Sequence, residues 1–159
     1  MGKNILPDHS INDEKFMRMA IAEAVKAAKE GEVPIGAVIM YNDKIFAKGR
    51  NKRISKNSAI AHAEIEAIER AVKKNKDWRL EGMTLYVTTE PCIMCAGAII
   101  HSRIRRVVYG CTEPKMGAVT SILNVFDNKK LHHKPSVTSG VLAKECSDIL
   151  STFFKKIRG

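Results

Sequence analysis

Several features that would assign a chain to a common class are scarce in this sequence. Four of its 159 residues are cysteine, too few for the disulfide scaffold that small secreted domains use in place of a large core. No apolar run approaches the roughly 20 residues that cross a bilayer, and residues 1–8 lack the apolar segment of a signal peptide. The sequence therefore predicts a cytoplasmic protein that does not enter the membrane.

Acidic residues are also scarce relative to basic ones. Asp and Glu number 17 against 27 Lys and Arg, a formal net charge of +10. Such a charge attracts polyanions and makes association with nucleic acid sensitive to salt, but it is equally compatible with several solvated basic faces. The basic residues fall into clusters at 50–53, 103–106, 129–134 and 155–158. Charge alone therefore allows a nucleic-acid partner without requiring one.

Linkers rich in proline or glycine are not visible either. With 45% apolar residues, a chain of this length can bury roughly two-thirds of the surface that its unfolded form exposes. We therefore predict a single domain spanning residues 1–159.

The apolar pattern predicts alternating helices and strands, and hence an α/β fold. The first expected element is a helix that begins at its cap, Ser10, and stops at Gly31. A hairpin of strands 35–40 and 44–48 follows, then a helix at about 61–74, a strand at 83–88, a helix at 92–100 and a strand at 105–110. The remainder is predicted as an irregular stretch at 111–136, a short strand at 136–142 and a helix at 143–158. The strand, helix and strand at 83–110 imply parallel pairing, with ligands at the strand ends. Within the hairpin, Gly36 predicts a ligand close to the backbone.

Two cysteines three positions apart, Cys92 and Cys95, follow Pro91 and open an apolar segment. This places both sulfurs at the first turn of a helix, where free amide groups and the helix dipole favour thiolates, the form that binds metal. His62 is the natural third ligand, because an imidazole with two thiolates suits Zn²⁺ and leaves its fourth position open for water. The other two cysteines, flanked by core-like residues, are predicted to be buried thiols.

Glu64 lies two residues from His62 and is the candidate acid–base group. A carboxylate that does not bind the metal can take a proton from the water at the fourth position and give it to a leaving group. Two residues correspond to about 200° around a regular helix, so both side chains can serve one point only at the entry of their helix. The order His-x-Glu followed by Pro-Cys-x-x-Cys is the known signature of zinc nucleobase deaminases.

Other interpretations of these residues stay open at the level of sequence. A Cys-x-x-Cys pair can be redox active, or it can be half of a structural zinc site with a further ligand such as His101, His132 or His133. Taken singly, His62 is typical of a helix start and Glu64 of a surface acid, although their order and spacing favour the metal site.

The sequence resembles the bacterial tRNA-specific adenosine deaminase family over most of its length. The resemblance rests on an ordered series of segments: GEVPIGA at 31–37, HAEI at 62–65, WRL at 78–80, LYVT at 85–88, EPCIMCAGA at 90–98, SRI at 102–104 and FF at 153–154. The short zinc motif is shared by all cytidine deaminase-like enzymes, whereas the longer series of segments is typical of a much smaller group of enzymes.

This resemblance implies a three-layer α/β/α sandwich around a mixed five-stranded sheet, a cytidine deaminase-like fold, and a homodimer. It implies a hydrolase that converts the wobble adenosine of a tRNA anticodon loop to inosine. One Zn²⁺ per subunit would be held by His62, Cys92 and Cys95, with Glu64 as the proton shuttle. The flipped base would be surrounded by Val33, Asn51 and the backbone of Ala63, although Asn51 is also typical of an ordinary turn.

Further RNA contacts are predicted in two other places. Glu113 and Lys115 stand where family members commonly carry Asp-Pro-Lys, and the longer carboxylate is expected to alter a contact with the substrate. Phe154 and Arg158 belong to an aromatic and basic strip of the kind on which bases stack. Two more departures are Thr120, where family members have Gly, and residues 57–60, which lack the usual Pro-Thr.

Two other functions remain compatible with the motifs. Guanine deaminase shares the Pro-Cys-x-Met-Cys segment, but its small substrate gives no reason for a charge of +10. A non-catalytic subunit or RNA-binding module could keep the zinc for stability, but it would have no need of Glu64.

Overall fold

The computed structural model describes residues 11–159, which form one five-stranded sheet with helices on both faces. The helices are α1 (Ile11–Lys29), α2 (Ala63–Asn75), α3 (Ile93–His101) and α4 (Ala143–Arg158), with a 3-10 turn at Val125–Asp127. The strands are β1 (Gly36–Tyr41), β2 (Lys44–Arg50), β3 (Thr84–Thr89), β4 (Arg106–Cys111) and β5 (Ser136–Thr138). Ser10, the predicted cap of α1, lies outside the described residues. Within residues 11–159, no helix combines the length and apolar character that a bilayer span needs.

The strands lie in the order β2-β1-β3-β4-β5. β1 pairs antiparallel with β2 and β3, whereas β4 pairs parallel with β3 and β5, so the predicted mixed sheet is confirmed. The hairpin turns at Asn42 and Asp43, whose positive φ angles of 51° and 59° match the twist of the two strands. β5 ends at Thr138 instead of the predicted 142, because the chain turns away at Gly140, where φ is 79°.

Side chains alternate between two apolar layers along each central strand. On β1, Ala37 and Ile39 pack in the layer under α2 and α3, and Val38 packs in the layer under α1 and α4. The three-layer α/β/α arrangement predicted from the family resemblance is therefore confirmed. Cys111 and Cys146 are buried free thiols in the second layer, as predicted.

Two glycines allow helices to lie directly against strands. A Cβ at Gly36 would collide with the carbonyl oxygen of Ala20 on α1, so the prediction that a ligand approaches Gly36 was wrong. A Cβ at Gly49 on β2 would meet the carbonyl oxygen of Ala63 and would lie 2.5 Å from the backbone nitrogen of Ala67. The first turn of α2 is thus pressed against the sheet, and this contact positions the residues at its entry.

Candidate active site

His62, Cys92 and Cys95 meet where two helices begin. His62 immediately precedes α2 and Cys92 immediately precedes α3, both with extended backbone, and Cys95 lies in the first turn of α3. His62 Nδ1 is 3.7 Å from Cys92 Sγ and 3.6 Å from Cys95 Sγ. The three donor atoms lie within 4.8 Å of one another. The fold therefore brings together the three predicted ligands from segments thirty residues apart in the sequence.

The spacing of these donors fits a tetrahedral metal ion. Zinc bonds of about 2.1 Å to nitrogen and 2.3 Å to sulfur place the two atoms about 3.6 Å apart at a tetrahedral angle. The observed separations of 3.6 and 3.7 Å match this value. Within residues 11–159, no other His, Cys, Asp or Glu joins the group, and His133 instead contacts the carbonyl oxygen of Ile104. The donor set thus resembles a catalytic zinc site, which keeps a fourth position open, more than a closed structural one.

The three donors differ in their affinity for protons. Hydrogen bonds from Cys95 and from His62 lower the pKa of Cys92 to about 4, against the effect of burial. The pKa of Cys95 is raised, first by its hydrogen bond to Cys92 and then by burial. Cys92 is therefore the thiolate of the pair, and the pKa of His62 is raised by the hydrogen bond that it makes to this sulfur.

Glu64 lies in the first turn of α2 and is 4% exposed. It lines a cavity of about 240 Å³ together with His62 and Cys92. Burial raises the pKa of its carboxyl group. The expectation that His62 and Glu64 lie at the entry of their helix is confirmed, since His62 is its N-cap and Glu64 its second residue.

Most of the predicted substrate-binding residues line the same cavity: Val33, Asn51, Ala63, Glu113 and Phe154. The Asn51 side chain connects two loops at the rim, because its Nδ2 donates to the carbonyl of Val33 at 3.2 Å and its Oδ1 accepts from the amide of Arg53 at 3.1 Å. Phe154 lines the cavity and is 41% exposed, so it borders the opening. Lys115 and Arg158 are exposed and lie outside the lining of the cavity.

The cavity also contains residues that the sequence motifs did not predict. These are Ile35, Arg53, Thr89, Glu90 and Met116. Met116 is 60% exposed at the rim, and Glu90 is 3% exposed. A signal for Glu90 was present in the sequence, because a carboxylate between a buried strand and Pro-Cys needs dedicated hydrogen-bond partners. Those partners are 23 to 31 residues further along the chain, where sequence spacing does not locate them.

Glu90 accepts hydrogen bonds from both ends of one loop. Its Oε1 accepts from the amide of Glu113 at 3.1 Å and from the hydroxyl of Ser121 at 2.5 Å. Its Oε2 accepts from the amides of Val119, Thr120 and Ser121 at 3.1, 2.8 and 3.0 Å. Burial alone would raise the pKa of Glu90, but the Ser121 hydroxyl and the loop amides lower it to about 2. The group is therefore a buried carboxylate anion.

The positions that depart from the family pattern have structural contacts in this chain. The hydroxyl of Thr120 forms a hydrogen bond of 2.8 Å with the hydroxyl of Tyr109. Glu113 Oε1 accepts from the amide of Lys115 at 2.9 Å, so this carboxylate caps its own loop. Ser58 and its neighbours 57 and 59 line a second cleft of about 590 Å³, which shares Val33, Asn51 and Arg53 with the cavity.

Comparisons with known proteins show the family and the fold of this chain. The model of the MafB19-like deaminase family matches residues 11–158. A tRNA-specific adenosine deaminase of Bacillus subtilis (strain 168) is 48% identical over 146 residues, which are 92% of this chain and 91% of that protein. A solved structure from a study of A-to-I editing by tRNA:A34 deaminases at the wobble position of transfer RNA is 44% identical, with a TM-score of 0.83. It covers 86% of this chain and 99% of its own.

The fold is also shared more widely. A solved guanine deaminase of Nitrosomonas europaea has a TM-score of 0.77, covering 88% of this chain and 83% of its own, at 22% identity. At that identity the likeness concerns the fold alone. The match to the Bacillus protein extends over nearly the full length of both chains and includes the segments that carry the site. The chain belongs to the family of tRNA-specific adenosine deaminases.

Proposed function

We propose that this protein hydrolyses the wobble adenosine of a tRNA anticodon loop to inosine and ammonia. The observation that carries the proposal is that His62, Cys92 and Glu64, the groups needed for the chemistry, line one cavity in a chain of this family. The net charge of +10 supports a polyanionic substrate over a free base.

The cavity supplies both a metal site and an acid–base group. His62, Cys92 and Cys95 would hold Zn²⁺, which when bound is a Lewis acid that makes a water nucleophilic near neutral pH. Glu64 would accept a proton from the attacking water as the water oxygen bonds to C6 of adenine. The same carboxyl group would give this proton to N1, and would then take the proton of the new C6 hydroxyl group and pass it to the amino nitrogen. The C6–N6 bond then breaks, ammonia leaves, and C6 keeps a carbonyl oxygen.

The adenine must leave its stack to enter the cavity. In an anticodon loop the base is already largely unpaired, so extrusion costs less than it would in a duplex. Val33, Asn51 and the backbone of Ala63 line the space beside Glu64, and we assign them to the flipped base. Because the amide of Asn51 bridges Val33 and Arg53, it also fixes the loops that form this side of the cavity.

The end of α4 extends this site toward the rest of the RNA. Phe154 borders the cavity and Arg158 lies one turn further along the exposed helix, so we assign them to base stacking and to a phosphate. Lys115, on the opposite loop, is assigned to a second phosphate. Arg158→Ala should weaken RNA binding and reduce its salt dependence, whereas Lys144→Ala, at the other end of α4, should change neither. Unchanged RNA affinity of the Arg158→Ala variant would contradict the assignment of Arg158 to a phosphate.

The working unit is a homodimer in the cytoplasm, where its tRNA substrate is found. Support for the dimer comes from α3, which is apolar on its buried side and also exposes Ile93, at 55%. The segment before the 3-10 turn that packs on α3 exposes Ile122 and Leu123, at 57% and 45%. Gly97→Arg, in the middle of the exposed side of α3, should produce a monomer in analytical ultracentrifugation. An unchanged dimer would place the interface elsewhere.

The decisive experiment compares wild type with Glu64→Ala on an anticodon stem-loop RNA. Zinc-loaded wild type should convert the wobble adenosine, detected as guanosine on reverse transcription, and Glu64→Ala should retain zinc without forming inosine. The matched control is Glu69→Ala, an exposed acid on the same helix, which should be fully active.

Two results would overturn the proposal. Undiminished inosine formation by Glu64→Ala would refute the role of this carboxylate. An active, zinc-loaded preparation that releases ammonia from guanine but leaves the RNA unchanged would identify a guanine deaminase.

A further inference from the structure

The loop at 113–121 forms one wall of the cavity, through Glu113 and Met116. Both ends of this loop hydrogen-bond to the single carboxylate of Glu90. We propose that Glu90 is a positioning residue that sets the shape of the RNA-binding rim by closing this loop. The inference rests on the proposed function, because the loop is taken to contact the substrate RNA.

The loop is fitted to the carboxylate as well as bonded to it. A Cβ at Gly117 would lie 2.5 Å from both oxygens of Glu90, so any larger residue there would displace the side chain. The amide of Ala118 donates to the carbonyl of Pro91 at 2.9 Å, and Gly117 forms a β-bridge with Cys92. The loop is therefore joined to the segment that carries a metal ligand, and its position depends on that of Glu90.

Glu90 acts through the loop because its oxygens are already occupied. They accept all five hydrogen bonds from the loop, and within the described residues no donor from another segment reaches them. Four of the five donors are backbone amides, which cannot accept a hydrogen bond in return. Only a carboxylate satisfies this arrangement, because both of its oxygens accept hydrogen bonds from amides.

A glutamine at this position should release one end of the loop and keep the other. The carbonyl oxygen of the glutamine can accept hydrogen bonds from the three amides of 119–121. Its NH₂ group then faces the amide of Glu113 and the hydroxyl of Ser121. The hydroxyl can rotate to accept, but the amide cannot. Glu90→Gln should therefore free the Glu113 end and leave the metal ligands in place.

The test measures kcat and KM on an anticodon stem-loop RNA, together with zinc content and melting temperature. Glu90→Gln should keep its zinc and raise KM by about 10-fold, the effect of one hydrogen bond to a charged group, with kcat little changed. Glu90→Ala should raise KM by about 100-fold, since the whole wall is then misplaced. Ser121→Ala removes only the hydroxyl donor and should have the smallest effect.

A matched control separates positioning from general stability. Asp13→Asn neutralises another buried carboxylate, at the opposite end of the sheet, and should lower the melting temperature without changing KM. If Glu90→Gln behaves like this control, the residue is merely structural and the inference fails. It also fails if Glu90→Gln loses zinc or keeps the wild-type KM. If Glu90→Ala does not fold, the KM values of Glu90→Gln and Ser121→Ala still test the inference. Inactivity of wild type toward RNA would instead refute the proposed function.

Discussion

Replacing Arg106 by leucine should destabilise the fold strongly while leaving the cavity intact. Arg106, at the start of β4, forms a two-point ion pair with Asp13 on α1, at 2.8 Å through Nη1 and 2.7 Å through Nη2. Tyr86 donates to the same carboxylate at 2.7 Å, and Arg106 also donates to Thr138 on β5 at 2.9 Å. The group therefore ties α1, β3, β4 and β5 together at the end of the sheet away from the metal ligands.

The magnitude follows from burial. The side chains of Asp13 and Arg106 are 2% and 13% exposed, so water screens neither charge well. Removing one partner of a buried ion pair costs about 3–5 kcal/mol, because the remaining side chain loses its counter-charge in a site from which water is excluded. At about 2–4 °C per kcal/mol for a chain of this size, Arg106→Leu should lower the melting temperature by roughly 6–20 °C. Arg106→Leu combined with Asp13→Asn removes both charges and should lose at least about 1 kcal/mol less than the sum of the two single variants.

The assay is thermal and urea unfolding at fixed protein and zinc concentrations, because bound metal and subunit association both change apparent stability. Activity on the stem-loop RNA is measured well below the lower melting temperature, where KM should equal that of wild type. A melting temperature close to that of wild type, or strictly additive effects in the double variant, would refute the assignment of a strong buried pair.

Three further outcomes follow from single contacts. Gly49→Ala should lower both kcat and stability, because the new Cβ would push the first turn of α2, which carries Glu64, away from β2. Steady-state kinetics and the melting temperature measure the two effects. Burial raises the pKa of Glu32, but the amides of Ser55 and Ile54 lower it below its ordinary value of 4.5. The ionised carboxylate therefore stabilises the fold fully above pH 4.5, and this stabilisation is lost as the pH falls below that value. Urea unfolding of Glu32→Gln should accordingly show a weaker loss of stability below pH 4.5 than wild type. Phe154→Ala should raise KM for the stem-loop RNA, measured by steady-state kinetics, without changing zinc content.

Local patterns in the sequence were enough to find much of the fold and the centre of the site. The bounds of α4 were predicted residue for residue, because its apolar and charged positions repeat at helical spacing. His62, Glu64, Cys92 and Cys95 were identifiable because a metal site needs particular residue types at short, characteristic spacings, and the fold indeed brings them together. The layer arrangement and the mixed five-stranded sheet were implied by the family resemblance, whereas the order of the strands came from the structure, since strand spacing alone does not say which strands are neighbours.

Only the tertiary structure decided which distant residues meet. The five hydrogen bonds on Glu90 span 23 to 31 positions, and the pair of Asp13 and Arg106 spans 93. Gly36 shows the same limit, because a glycine signals close approach without saying whether a ligand or a helix approaches. Sequence determined the reactive groups of this protein, because their chemistry depends on residue type and local spacing. The walls of the cavity were determined by packing between distant segments. One wall is held by the buried charge of Glu90, and the free energy of a buried charge depends on every group that surrounds it.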